Sequence, residues 1–252
     1  MAMWHEVPGG TSQPPAAVAL ATTRWGTGPG RVLLLHGIVS AGATWWRLAE
    51  TLADDGYEVV APDLRGHGSS PRADSFLLAD HVADVRALGS GWDLVVGHSL
   101  GGLLGALAVD ADRRFTRRLV LLDPALDVEE DRFEAVAKAE IRDATHPPSA
   151  RTVQGAHAAW DRRDAVAVAA AVAHTLRDNA PWRHTAVVTR LTVPTLVLGA
   201  DPARGALFQP RTGVELMIRN PSVRARVVVG AGHAVHRERP SAVATAVRSF
   251  LW

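Results

Sequence analysis

One short segment, residues 97–101, constrains this chain more than any other part of the sequence. It reads Gly-His-Ser-Leu-Gly, follows the apolar run that ends at Val96, and precedes small and apolar residues over 102–108. The apolar run is typical of a strand and the small residues of a helix, so the pattern predicts a sharp strand-to-helix turn with Ser99 at its apex. Glycines at 97 and 101 permit a strained turn in which larger side chains would collide with the neighbouring strand and helix. Ser99 is therefore a candidate nucleophile.

Short apolar runs alternate with helical segments through the first half of the chain, and the alternation returns near its end. Strands are predicted over residues 18–21, 31–36, 57–62, 93–96, 118–123, 193–199 and 224–229. Helices are predicted over residues 44–54, 77–88, 99–110 and 240–251. Continuous apolar strands separated by helices indicate an α/β fold with a mostly parallel central sheet covered by helices on both faces.

The strand pattern stops between residue 124 and about residue 192. Helix-like, alanine-rich stretches fill this interval and are interrupted by Pro147 and Pro148. Long insertions between core elements often serve as lids over a functional site. We therefore expect a core formed by residues 1–123 and 193–252, with residues 124–192 inserted as a helical cap.

Composition excludes several classes of function. The 252 residues include no cysteine, which excludes disulfides, thiolate catalysis and cysteine-bound metals. A formal net charge of +1 gives no general attraction to nucleic acid or to an anionic membrane. Asp63 and His67 lack the spacing of further ligands that a metal site needs, so neither a metal nor a cofactor is expected. The chain shows neither a signal-peptide pattern nor an apolar run long enough to span a membrane, so a cytoplasmic location is the default expectation.

The motifs together resemble the α/β-hydrolase superfamily from about residue 18 to the end of the chain. The resemblance rests on His36-Gly37, the loop over 63–70, the turn at 97–102, Asp201, and the Gly232-His233 pair. It is closest to the small, cap-bearing group of carboxylesterases, enol-lactone hydrolases, carbon–carbon bond hydrolases and cofactor-free haloperoxidases. The resemblance implies an α/β-hydrolase fold. Because serine stands where related epoxide hydrolases and dehalogenases carry aspartate, those two activities are disfavoured.

The same resemblance implies a catalytic triad in the chain order serine, acid, histidine. His233, in a glycine-rich loop after the last strand, is the expected base, and His236 competes with it. Asp201, after the strand over 193–199, is the expected acid that orients the imidazole. Asp123, at the end of the preceding strand, is the alternative acid.

The resemblance also implies an oxyanion hole formed by two backbone N–H groups, those of Ile38 and Leu100. His36 is expected to hydrogen-bond within its own loop and to take no part in the chemistry. Asp63 and Arg65 are expected to hold the glycine-rich loop over 63–70 in a rigid form beside the site.

Eight tryptophans, against one tyrosine, are unusual for a chain of this length. Trp46 and Trp160 are candidates to line an apolar substrate pocket, together with His98 beside the nucleophile. The competing interpretation is ordinary packing between the cap and the core.

These observations favour a serine hydrolase that cleaves a carboxylic ester or lactone of a small, largely apolar molecule through an acyl-enzyme. The alternatives are a carbon–carbon bond hydrolase, an acyltransferase or perhydrolase that uses the same triad, or a ligand-binding homologue without catalysis. The expected partner is a small-molecule substrate, with no nucleic acid and no membrane span, and the oligomeric state stays open.

Overall fold

A seven-stranded sheet forms the centre of the molecule, and the computed structural model describes residues 17–129, 175, 178–179 and 181–251. The strands are β1 (Thr22–Trp25), β2 (Gly30–Leu35), β3 (Tyr57–Pro62), β4 (Leu94–His98), β5 (Leu119–Leu122), β6 (Thr195–Gly199) and β7 (Val223–Val227). Their order across the sheet is β1-β3-β2-β4-β5-β6-β7, and every neighbouring pair is parallel except β1 with β3. The prediction of a mostly parallel sheet is confirmed.

Helices flank this sheet, as predicted. The described helices are α1 (Trp46–Asp54), α2 (Leu78–Ala87), α3 (Leu100–Ala111), α4 (Thr185–Arg190), α5 (Pro210–Arg219), α6 (Val235–Glu238) and α7 (Pro240–Leu251). Two short 3-10 helices, Gly42–Trp45 and Pro202–Arg204, lie in the connections after β2 and β6.

Two apolar layers, one on each face of the sheet, bury nearly every central strand residue. Leu33 and Leu35 of β2 belong to the layer that includes residues of α2 and α3, whereas Val32 and Leu34 belong to the layer that includes residues of α1 and α7. Side chains alternate between the two faces along a strand, so burial on both faces requires the continuous apolar runs seen in the sequence. Each large apolar side chain buried in this way stabilises the fold by about 1.5–3 kcal/mol.

The strand order has a switch point between β2 and β4. From β2 the chain passes to β3 on one side and then crosses to β4 on the other, so the order reverses between β2 and β4. Ligands of open α/β sheets bind outside the carboxyl ends of the strands at such a switch point. Because Leu35 is paired with Gly97, and His98 with Leu122, the residues that follow β2, β4 and β5 meet at this edge.

One predicted strand lies elsewhere in the structure, and two described helices outside the expected cap, α5 and α6, were not predicted. The first strand is Thr22–Trp25 and not residues 18–21, because β1 is an edge strand with largely exposed side chains that carry no apolar signal. Helix α5 was not predicted, since only Gly213 and Leu216 of its ten residues are buried.

The predicted cap lies mostly outside the described residues, and so do the helices expected within it. Its two ends are described: an antiparallel bridge joins Asp127 to Arg183 just beyond β5. A helical cap over 124–192 therefore stays a prediction, as does the division of the chain that depends on it.

Candidate active site

The turn between β4 and α3 has the strained geometry that the sequence predicted. Ser99 adopts φ 52° and ψ −117°, a backbone conformation that non-glycine residues rarely take, and the residue is 4% exposed. A Cβ on Gly97 would collide with the carbonyl group of Gly101, and a Cβ on Gly101 would collide with that of Leu35. The two glycines therefore allow the helix to start directly against the strands, which leaves Ser99 at the apex.

The ring of His233 is paired with Asp123. Nδ1 of His233 lies 2.7 Å from Oδ2 of Asp123, a fully buried residue directly after β5 with φ 39°. Three backbone N–H groups donate to the same carboxylate: those of Ala200 and Phe208 to Oδ1, at 3.0 and 3.1 Å, and that of Leu207 to Oδ2, at 2.9 Å. With four donors bound, the carboxylate is held in one orientation.

The charge of Asp123 is stabilised by these donors. Burial by itself raises the pKa of the Asp123 carboxyl, but the hydrogen bond and charge of His233 and the N–H groups of Leu207 and Ala200 outweigh burial, so the pKa is lowered. The group is thus a carboxylate at neutral pH. Because Nδ1–H of His233 donates to it, Nε2 of the neutral ring carries the free lone pair that a general base requires.

The expectation that Asp201 contacts the His233 ring is wrong. Both oxygens of Asp201 accept backbone N–H groups, Oδ1 that of Ala203 at 3.0 Å and Oδ2 that of Gly230 at 2.8 Å. Hydrogen bonds from Gly230 and then from Ala203 lower the pKa of this carboxyl, which is partly exposed. Asp201 lies two residues beyond the end of β6 and caps the short helix Pro202–Arg204, whereas Asp123 directly follows β5.

His233 lies beside the turn that carries Ser99. Its ring centroid is 4.6 Å from that of His98, the residue before the serine, and its carbonyl oxygen accepts Nε2–H of His98 at 2.9 Å. The competing candidate base, His236, is buried and stacked on Trp45 with ring centroids 4.1 Å apart. Within the described part of the chain neither ring nitrogen of His236 has a hydrogen-bond partner, so His233 is the histidine that a carboxylate orients.

The loop after β2 packs against Ser99. A Cβ on Gly37 would lie 3.0 Å from Cβ of Ser99, so a side chain at this position would press on the serine. Ile38 follows in the same loop, and Leu100 is the first residue of α3, where an N–H has no acceptor within the helix. Over the described ranges neither of these two N–H groups donates to a protein acceptor. Both are available to an oxyanion, and their role stays a prediction.

Two buried histidines hold this loop in place. Nε2 of His36 accepts the N–H of Leu64 at 2.9 Å, and its Nδ1 donates to the carbonyl of the next residue at 2.6 Å. The expectation that His36 bonds within its loop is thereby confirmed. Nε2 of His67 accepts the N–H of Val39 at 3.3 Å, where Val39 has φ 58°. Burial lowers the pKa of both rings, so each stays neutral and keeps an acceptor nitrogen.

The glycine-rich loop over 63–70 is tied down as predicted. Asp63 accepts the N–H groups of Gly42 at 2.7 Å and Ser69 at 2.9 Å. Arg65 forms a two-pronged ion pair with Asp84 of α2, at 2.6 and 2.8 Å, with both side chains at most 2% exposed. The acceptor role of His67 was not foreseen. Its place between two glycines after a buried strand was the available signal.

The tryptophans that were considered as pocket residues do not lie together in the described structure. Trp46 is half-buried and lines a surface groove between α1 and α7, with the Arg47 guanidinium 4.4 Å from its ring centroid. Trp160 lies outside the described residues. Trp182 is buried and donates Nε1–H to the carbonyl of Ala125 at 2.6 Å, which is a packing role. Contact of Trp46 or Trp160 with a substrate stays a prediction.

His98, the third pocket candidate, is 5% exposed, and its ring is hydrogen-bonded to the backbone of His233. Burial, and then the proximity of His233, lower the pKa of His98 to about 3.

Among the described residues there is no group of three or more histidine, aspartate or glutamate side chains arranged to hold a metal ion. None of the described helices is both long and apolar enough to cross a bilayer. The cytoplasmic location stays a prediction.

Comparison with known proteins gives a consistent result. The model of the alpha/beta hydrolase family matches residues 32–246. Lipase LipV of Mycobacterium tuberculosis is 30% identical over 93% of this chain and 98% of the lipase. Esterase YbfF of Escherichia coli is 29% identical over 87% of this chain and 92% of the esterase. Among solved structures, a thermophilic esterase from Thermogutta terrifontis matches over 92% of both chains, with a TM-score of 0.71 and 24% identity, which shows the fold alone.

Proposed function

The chain belongs to the alpha/beta hydrolase family, and we propose that it is a serine hydrolase that cleaves carboxylic esters or lactones of small, largely apolar molecules. Ser99 is the nucleophile, His233 the general base and Asp123 the acid of the triad. The single observation that carries the proposal is the 2.7 Å contact between Nδ1 of His233 and Oδ2 of Asp123, beside a serine in a strained turn. Ester hydrolysis is favoured because similar proteins are named lipase and esterase.

The reaction follows from the arrangement of these groups. Ser99 Oγ attacks the acyl carbon while Nε2 of His233 takes the hydroxyl proton, and Asp123 stabilises the imidazolium that forms. The N–H groups of Ile38 and Leu100 bind the developing oxyanion, each contributing about 3 kcal/mol to the lowering of the barrier. The imidazolium then gives its proton to the departing alkoxide, which leaves an acyl-enzyme on Ser99.

Water completes the cycle. Nε2 of His233 removes a proton from a water molecule as that water attacks the acyl carbon, and returns the proton to Ser99 Oγ as the carboxylic acid leaves. In a lactone the alcohol and acid belong to one molecule, so a single hydroxy acid is released. The steps need no cofactor.

We also propose that the insertion over residues 124–192 acts as a cap that decides which acyl groups reach Ser99. Its two ends support this role. The N–H of Ala125 donates to the carbonyl of Ser99 at 3.2 Å, and the carbonyl of Ala125 accepts Nε1–H of Trp182. The insertion therefore leaves and rejoins the core at the edge of the sheet that carries the nucleophile.

A substrate panel tests the proposed reaction. The native protein and Ser99→Ala are assayed on p-nitrophenyl esters of increasing acyl length and on several lactones. We expect the native protein to turn over at least one ester or lactone and Ser99→Ala to lose that activity by about 10³-fold or more. Turnover of an activated carbon–carbon substrate with no activity on any ester or lactone would contradict the proposed reaction class.

A further inference from the structure

We propose that His98 is a positioning residue that holds the loop of the base and the loop of the oxyanion hole in place on the two sides of the nucleophile. The inference deepens the proposed function and rests on it. His98 does not reach a substrate in this role. It acts through His233, whose carbonyl it bonds, and through Gly37, whose backbone it faces.

The first contact fixes the main chain of the base. Nε2–H of His98 donates to the carbonyl oxygen of His233 at 2.9 Å, and the two rings are tilted by 45° with centroids 4.6 Å apart. His233 lies in a connection without helix or strand, so its backbone position depends on individual hydrogen bonds. Other side chains hold this connection at Gly230 and Gly232. The carbonyl of His233 itself accepts two hydrogen bonds, from the N–H of Val235 at 2.9 Å and from the His98 side chain.

The second contact sets the position of the loop after β2. A Cβ on Gly37 would lie only 2.9 Å from Nδ1 of His98, so this edge of the ring faces the Gly37 backbone. In the described part of the chain Nδ1 has no hydrogen-bond donor, which agrees with the proton being on Nε2. The Nδ1 edge of the ring therefore limits how closely Gly37, and with it Ile38, approaches the residues around Ser99.

The His98 ring is uncharged at neutral pH and does not oppose a positive charge on the neighbouring His233 ring. Burial, followed by the proximity of His233, lowers the pKa of His98 to about 3, against an opposing effect of the Asp123 carboxylate. The hydrogen bond to the His233 backbone also raises the pKa of His98, and the charge of Arg237 lowers it. The ring of His236, with its centroid 4.8 Å from that of His98, has a pKa that is also lowered by burial. The positive charge that forms on His233 during acylation is therefore not opposed by a second imidazolium in contact with it.

The test compares His98→Leu with His98→Gln in the second-order rate of labelling by a fluorophosphonate, a probe that reports on the activated serine. Leucine fills much of the space but cannot donate, whereas the glutamine amide places an N–H near the position of Nε2. A small displacement of a catalytic group lowers rates by up to about 100-fold. We expect His98→Leu to label about 10- to 100-fold more slowly than the native protein, and His98→Gln to stay within about threefold.

The control is His81→Leu. His81 lies in α2, is fully buried, and in the described part of the chain has no hydrogen-bond partner on either ring nitrogen. Its replacement changes packing in the core without touching the triad, so labelling should stay within about twofold of the native rate. Labelling of His98→Leu at the native rate, or equal losses for His98→Leu and His98→Gln, would overturn the positioning role.

If His98→Leu fails to fold, His98→Asn replaces it. The asparagine amide ends one bond short of the glutamine amide and does not reach the His233 carbonyl, so we expect slow labelling for Asn and near-native labelling for Gln. Equal rates for Asn and Gln would contradict the inference. A native protein that does not label contradicts the proposed function instead, so the two failures are distinguishable.

Discussion

At the scale of single residues, two aspartates near the carboxyl edge of the sheet have similar surroundings in sequence but different surroundings in space. Asp123 is fully buried, and one of its oxygens is shared between the His233 ring and a backbone N–H. Asp201 is partly exposed, and its oxygens face the backbone N–H groups of Ala203 and Gly230. Asp201 therefore stabilises the connection that carries His233, while Asp123 orients the ring.

A substitution at Gly37 tests the proposal that the loop after β2 carries an oxyanion donor. A Cβ at this position would lie 2.9 Å from Nδ1 of His98 and 3.0 Å from Cβ of Ser99, so Gly37→Ala must displace the loop that carries Ile38. We expect fluorophosphonate labelling to slow by about 10-fold or more, since one misplaced oxyanion donor is worth about 3 kcal/mol.

The control for Gly37→Ala is Gly91→Asn. Gly91 has φ 73°, a Cβ added there would meet no atom of the described structure within 4 Å, and asparagine tolerates positive φ better than most residues. Labelling rates are measured for both variants alongside their melting temperatures. Native-rate labelling by Gly37→Ala would show that the loop can yield without disturbing the site.

At the scale of elements, the site depends on loops that are fastened to the core by buried polar groups. The loop over 63–70 is joined to α2 by Arg65 and Asp84, and to the 3-10 helix after β2 by Asp63 and Gly42. His67 in this loop then supports the backbone at Val39. The loop after β2 is thus positioned by residues outside its own sequence.

Arg65→Met should be strongly destabilising. It leaves Asp84 as a buried charge without the arginine, and removal of one partner from a buried pair costs about 3–5 kcal/mol. Arg24→Met breaks a pair of similar length, 2.7 Å, in which the Arg24 side chain is 56% exposed, and should cost less than about 1 kcal/mol. Urea denaturation measures both free energies of unfolding. Equal losses for the two variants would contradict a special role for the buried pair.

Strands that are buried on both faces were predicted from the sequence more accurately than exposed elements. The runs that became β2, β4, β5 and β6 are continuous and apolar because both faces of the sheet are covered. β1 at the edge and the exposed helix α5 lack that signal, and the prediction was wrong for β1 and silent on α5.

In the candidate site, too, some features could be predicted from the sequence and others could not. The turn at Ser99 is a local feature, and neighbouring residues are enough to predict it. The partner of His233 is not local, because Asp123 and Asp201 both follow buried strands and only the path of the backbone after each strand decides which carboxylate reaches the ring. The residue types and their spacing in the sequence do not predict the path of the backbone after each strand.

At the scale of the whole molecule, buried neutral histidines couple stability to pH. Among the described residues, five histidines are buried and have a pKa that is lowered, with burial as the largest cause: His36, His67, His81, His98 and His236. In the unfolded chain the pKa of each ring would be about 6.5. The unfolded state therefore binds protons first as the pH falls, so stability is fully present above that value and is lost below it.

Acid should consequently destabilise this protein. His81 and His98, whose pKa is lowered to about 3, each remove about 1.4 kcal/mol of stability per pH unit below about 6.5. His36, His67 and His236 act in the same direction. The lowered pKa of Asp123 acts only at lower pH, since its contribution is lost below about 3.9. We expect the urea midpoint to fall steeply between pH 6.5 and about 5.

His81→Leu provides the comparison for this pH dependence. The variant lacks one buried histidine whose pKa is lowered to about 3, so its loss of stability per pH unit should be smaller by about 1.4 kcal/mol. Urea titrations of both proteins at several pH values give the two slopes. A urea midpoint that is constant from pH 7 to pH 5 would contradict the neutral burial of these rings.

The rate of fluorophosphonate labelling in Asp123→Asn and Asp201→Asn tests the triad most directly. Loss of the orienting carboxylate in a serine triad lowers the rate by about 10⁴-fold, so Asp123→Asn should label at least about 10³-fold more slowly than the native protein. Asp201→Asn should stay within about tenfold, because that carboxylate bonds only to backbone N–H groups in the described structure. Near-native labelling by Asp123→Asn together with a large loss in Asp201→Asn would contradict the assignment.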